Sequence, residues 1–166
     1  MATVTLHGSP LRTSGDLPAI GSQAPDFHLV DTTLTERSLA DYAGKRKILN
    51  ISPSLDTPVC AAQARRFDRE AVELDNVEVL VITADLPFAQ SRFCTAEGVD
   101  HVTPLSTVRS HDFGRDYGVL LEEGPLAGTV VRALVVLDEN DRVIHTELVE
   151  EISDEPDYDA ALAKLR

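Results

Sequence analysis

The sequence is poor in several things at once. It has no tryptophan, one methionine and two cysteines in 166 residues. Basic residues are scarce, 15 Lys and Arg against 28 Asp and Glu, for a net charge of -13. That balance argues against nucleic acid and anionic membranes as partners, because both call for a basic face; otherwise it speaks to solubility. No segment approaches the ~18 consecutive apolar residues that a membrane span needs. The N-terminal stretch MATVTLHGSPLR has no basic region followed by an apolar one, so no signal peptide is expected. The expected compartment is the cytoplasm. Thiols there are kept reduced, which leaves a cysteine buried, metal-binding or catalytic rather than bridged.

Other absences narrow the chemistry. The five histidines, His7, His28, His101, His111 and His145, show no ligand spacing with one another or with a cysteine, so no zinc site is expected. No glycine-rich loop follows a strand in the form that cradles phosphate. There is no internal repeat, low-complexity tract or long linker. One domain over residues 1–166 is therefore expected, and a hydrophobic content of 43% suits a full core.

What is present reads as alternating strands and helices. TVTLHGSPLRT alternates around a Gly-Ser-Pro turn and predicts an N-terminal hairpin. Phe27–Val30 and Lys47–Ile51 read as strands, with one helical turn at Ser38–Tyr42 closed by Gly44. Residues Pro58–Leu74 carry apolar side chains near helical spacing. Val77–Thr83 is a β-branched run of the kind buried on both faces of a sheet. LPFAQSRFCTAEG opens on a proline and ends at Gly98, so it predicts a second helix. His101–Ser106 reads as a short strand and Ser110–Tyr117 as a helical turn. GTVVRALVVLDENDRVIHTELV reads as a hairpin turning at Asp138–Asp141, and Asp157–Arg166 as a terminal helix. The order predicts an α/β fold with a mixed central β-sheet and helices on both faces. RRFDRE mixes signs on a helix and reads as a solvated face.

One stretch stands out, NISPSLDTPVC at residues 50–60. A strand ends near Ile51, a loop runs through Pro53, and a helix starts near Pro58. Thr57 suits the N-cap and Pro58 the first helical position. Cys60 then falls in the first turn, where free N–H groups and the positive end of the helix dipole stabilise an anion. A thiolate there is the reactive form. Position alone leaves two readings: a reactive thiol, or a small buried apolar residue that follows a cap. Arg132, inside the apolar run TVVRALVVL, is similarly open. It is either a buried charge with a partner or an alternating residue pointing to solvent.

Pro53, Thr57 and Cys60 in PSLDTPVC resemble the peroxiredoxin pattern Pro-x-x-x-Thr-x-x-Cys. The likeness extends to GSQAPDFHLVD, AGKRKILNI and GTVVRALVVLDENDRVIH, about residues 15 to 165. SLDTPVCAAQARRF and FAQSRFCTAEG are similar to the thiol peroxidase subfamily, the atypical two-cysteine peroxiredoxins. The resemblance implies a thioredoxin-like fold, usually homodimeric, with no metal or bound cofactor. It implies that Cys60 attacks the O–O bond of a peroxide and becomes a sulfenic acid. Thr57 is then expected to set its hydroxyl against the sulfur while capping the helix, and Pro53 to cover the site. Arg132 is expected to hold the thiolate and align the peroxide.

By the same resemblance Cys94, in the helix Pro87–Glu97, is the resolving cysteine that forms a disulfide with Cys60. Such a bond needs Cα atoms within about 7 Å, so unwinding of both segments is expected. The alternative for Cys94 is a core helix position beside Phe93, which makes a one-cysteine enzyme resolved by an external thiol. The implied function is reduction of hydrogen peroxide and organic hydroperoxides, recycled by thioredoxin or a similar dithiol. The alternative is a redox sensor of the same fold that passes its disulfide to a partner.

Overall fold

The computed structural model describes residues 1–166. Seven strands make one sheet: Leu29–Asp31 (β3), Glu36–Arg37 (β4), Arg46–Ile51 (β5), Val77–Thr83 (β6), Thr103–Ser106 (β7), Ala133–Leu137 (β8) and Val143–Leu148 (β9). Their order is β4-β3-β7-β6-β5-β8-β9. The central β7-β6-β5 trio is parallel, and antiparallel strands finish both sides. Thr3–Leu6 (β1) and Ser9–Arg12 (β2) pair as a separate hairpin. Its turn differs from the sequence expectation. His7 and Gly8 take the two positive-φ positions, at 51° and 83°, and Ser9 and Pro10 belong to β2. A glycine reaches that backbone region without the Cβ penalty, so the turn settles one step earlier.

Helices Pro58–Ala71 (α1) and Pro87–Glu97 (α2) connect β5 to β6 and β6 to β7. Right-handed crossovers running the same way across a sheet place both helices on one face. The packing agrees. Ala64 and Phe67 of α1 join Val79, Val81, Leu134 and Val136 in one core cluster, with Phe93 of α2 against it. Tyr158–Leu162 (α4) seals this face through Tyr158, whose ring meets Phe67 edge-on with centroids 5.4 Å apart. The larger cluster lies on the other face and takes in Phe113 and Tyr117, from Asp112–Asp116 (α3) and its C-cap.

The boundaries differ from the sequence in a few places. α1 stops at Ala71, not Leu74, because Glu73 and Leu74 donate to carbonyls only three residues back. β3 begins at Leu29 instead of Phe27, and β7 at Thr103 instead of His101. The helical turn at Leu39–Tyr42 is 3₁₀, with Ser38 as its N-cap. No helix is long and apolar enough to cross a membrane.

Candidate active site

The site forms where the parallel strands end, the usual place for chemistry in an open α/β sheet. Ser52 N–H still donates to the Ile82 carbonyl, extending the β5–β6 ladder by one residue. Pro53 has no N–H to continue it. The chain turns through Ser54–Asp56 and enters α1 at Pro58, putting Cys60 at the third helical position. Ala61 N–H is bonded to the Thr57 carbonyl, but the N–H groups of Val59 and Cys60 have no acceptor in the protein. The first turn therefore presents free donors next to the sulfur.

Cys60 is only 1% exposed, and Arg132 is 2% exposed. Arg132 lies one residue before β8, not within it, and points inward. Its guanidinium makes three contacts. Nε donates to the Ile152 carbonyl at 2.8 Å, Nη1 to Gln63 Oε1 at 2.7 Å, and Nη2 sits 3.3 Å from Cys60 Sγ. Neither the carbonyl nor the amide carries a charge. A buried cation without an anion is costly, and the sulfur is the one partner of the three that can become anionic. The structure thus selects the buried, partnered reading of Arg132.

One residue of this network was not singled out from the sequence. Gln63, one helical turn after Cys60, is fully buried; it receives Arg132 and donates to Asn50 Oδ1 of β5. The i, i+3 spacing from Cys60 was the available signal, since such positions share a helix face.

Pro53 and Thr57 line a cavity of about 540 Å³ together with Arg132. Leu6, Leu126 and Ile152 make its walls largely apolar. Thr57 corrects one expectation. Its hydroxyl does not cap the helix; it turns back and donates to the Ser54 carbonyl at 3.0 Å. Thr57 N–H donates to the same carbonyl at 3.1 Å, closing a four-residue turn, so both Thr57 donors converge on Ser54. The loop is held from below by Asp85, which accepts from Ser54 Oγ at 2.6 Å, Leu55 N at 2.7 Å and Thr83 Oγ1 at 2.8 Å. Arg65 and Arg66 face away from Cys60, toward Glu97 and toward Glu70 and Asp159.

Cys94 is elsewhere, in the third turn of α2. It is half-buried, and its thiol is free, like that of the fully buried Cys60. Burial, and secondarily the negative charge of Asp68, push its thiol up to about 11. Asp68 lies eight residues beyond Cys60 on α1, roughly 12 Å along the axis at 1.5 Å per residue. Asp68 is nearly buried and receives the N–H groups of Asp100 and His101 at 3.0 and 2.7 Å, tying down the loop after α2. In this fully folded form no bond joins the two cysteines.

The Redoxin family profile matches residues 19–162. A thiol peroxidase of Corynebacterium glutamicum is 51% identical over 165 residues, 99% of each chain. A crystal structure of a peroxiredoxin-like protein from Aquifex aeolicus superposes with a TM-score of 0.93 at 36% identity, covering 99% of this chain and 96% of the other. The thiol peroxidase from Chromobacterium violaceum gives 0.89 at 30% identity, over 98% and 94%. The chain belongs to the Redoxin family, within its thiol peroxidase branch, and has the thioredoxin-like α/β fold of those neighbours.

Proposed function

We propose that this thiol-dependent peroxidase works through Cys60 as its peroxidatic cysteine and Cys94 as its resolving cysteine. The carrying observation is the buried Arg132 guanidinium, 3.3 Å from Cys60 Sγ with no carboxylate among its hydrogen-bond partners. Such a cation is a counter-charge for negative charge on the attacking sulfur, and the free N–H groups of the first turn act in the same sense. The thiolate attacks one oxygen of a hydroperoxide. The O–O bond breaks, Cys60 becomes a sulfenic acid, and the other oxygen leaves as alkoxide or hydroxide and takes up a proton. Thr57 lines the approach with a hydroxyl, and Pro53 shields the sulfur side. The cavity has room for hydrogen peroxide and for organic hydroperoxides.

The sulfenic acid then condenses with the Cys94 thiol, forming a disulfide and releasing water. The folded separation calls for unwinding at the start of α1 and along α2. A dithiol reductant of the thioredoxin type returns both thiols by exchange. The working form is a homodimer in the cytoplasm. In support, Leu86, Val108 and Phe88, the last 69% exposed, leave apolar surface beside the site loop, of the kind a second copy covers.

The test is to give the reduced protein one equivalent of peroxide and map its cysteines by mass spectrometry. A Cys60–Cys94 disulfide is expected, with sustained turnover once a thioredoxin system is added. An unreacted Cys60 overturns the assignment. A single stoichiometric oxidation without turnover supports a redox relay instead.

A further inference from the structure

Part of the cavity lining comes from the N-terminal hairpin, which is separate from the main sheet. Leu6 and His7, at the end of the β1–β2 hairpin, face Thr57 and Arg132 across the cavity. Strand β1 is held by backbone bonds at Thr5: its N–H donates to the Glu150 carbonyl at 2.7 Å, and Ile152 N–H donates to the Thr5 carbonyl at 2.8 Å. The tip is held differently. Glu151 Oε1 accepts from Gly8 N at 2.9 Å and Thr5 Oγ1 at 3.1 Å. Its other oxygen accepts from Ser153 N at 3.0 Å and Ser153 Oγ at 2.8 Å. One carboxylate thus bridges the hairpin tip to the segment whose Ile152 carbonyl receives Arg132. The positive-φ turn at His7 and Gly8 is what aims the Gly8 N–H at it.

We propose that Glu151 is a specificity-determining positioning residue. It fixes the hairpin as the wall against which the apolar group of an organic hydroperoxide packs, and hydrogen peroxide, which has no such group, does not depend on it. The backbone bonds from Ser153 and Gly8 hold the carboxyl of Glu151 down to about 2, so the clamp stays charged at every pH where the enzyme works. Four donors on one carboxylate are more than a neutral amide can accept from. Glu151→Gln therefore loosens the turn at Gly8 while the backbone bonds of Thr5 remain.

This inference rests on the peroxidase assignment to Cys60. The test compares cumene hydroperoxide with hydrogen peroxide in steady state, using wild type, Glu151→Gln and Leu6→Ala. Leu6→Ala strips the wall itself and leaves the clamp intact. Both variants are expected to lose roughly tenfold in kcat/KM for cumene hydroperoxide through a raised KM, the scale of an apolar pocket contact. The ratio of kcat/KM for cumene hydroperoxide to that for hydrogen peroxide is expected to fall in both variants. An equal loss for both peroxides in Glu151→Gln overturns the proposal, because the residue then acts through Arg132 or the fold. So does an unchanged preference in either variant. If wild type turns over neither peroxide, the assignment of Cys60 fails first.

Discussion

The two cysteines sit on helices that the fold treats unequally. α1 buries Cys60, Gln63, Ala64, Phe67 and Asp68 against the sheet, whereas α2 buries only Pro87 and Gln90. The thiol of Cys60 meets a cation and free N–H donors; that of Cys94 meets apolar side chains and an acidic charge. One sulfur has a buried cation at 3.3 Å, and the other is held protonated by burial. In the proposed cycle the first sulfur is the nucleophile, and the second waits as a thiol on a helix with few buried side chains to release. The difference lies in the anchoring of the helices as much as in the electrostatics.

The sharpest way to break this comparison is to remove each sulfur in turn. Cys60→Ser is expected to abolish peroxide consumption, while Cys94→Ser still oxidises once and retains a sulfenic acid that mass spectrometry detects after trapping. Equal inactivity of the two would erase the asymmetry. Arg132→Gln comes next. It removes a hydrogen bond to a charged group, about 1.5–3 kcal/mol, so the second-order rate of Cys60 oxidation should fall roughly 10- to 150-fold. Stopped-flow competition against a known peroxide scavenger measures it, and Cys94 reactivity should not move.

The third test concerns Cys94 in the Cys60→Ser background, where only one thiol can react with an aromatic disulfide reagent. A thiol raised by two units has ~100-fold less thiolate at neutral pH, partly offset by the greater nucleophilicity of the more basic sulfur. About tenfold slower reaction than in denaturant is expected, rising with pH until near 11. The sign for stability follows. A raised thiol favours the folded state below its unfolded value near 9, and that contribution is lost as pH climbs toward 11. The hydrogen exchange of α2 should accordingly speed up in alkali before that of α1.

The smallest effect is expected at Asp85. Its carboxylate joins the Cys60 loop to Thr83, whose hydroxyl also receives Gln90 of α2 at 3.1 Å, one turn before Cys94. Asp85→Asn keeps an acceptor oxygen but turns a charged hydrogen bond into a neutral one, a difference of about 1 kcal/mol, and should raise the rate of disulfide formation a few-fold. Quench-flow with thiol labelling reads it. A slower rate would mean that the loop must stay rigid for both steps.

Much of this was legible in the chain. Pro87 and Gly98 bracket α2 at the residues expected, because one supplies a preset φ at the start and the other the left-handed cap, at φ 66°. Cys60 and Arg132 were visible as an odd cysteine and an odd arginine. Gln63 and Asp85 were not, since a buried amide and a loop-facing carboxylate look like ordinary surface residues until the tertiary contacts exist. The two-residue β4 lies below any periodic signal, and the sheet order depends on which crossovers close in space. The end of α1 was overrun because no glycine or proline marks it.

Arg132 also sets the order of events. In the proposed cycle its counter-charge exists only while Cys60 is a thiolate. Oxidation to a neutral sulfenic acid leaves a guanidinium buried among a carbonyl and an amide. The folded site is thus most stable before it has reacted and least stable just afterwards. The substrate's own oxygen releases the catch, so opening toward Cys94 follows attack instead of competing with it, and no separate trigger is needed to time the second step.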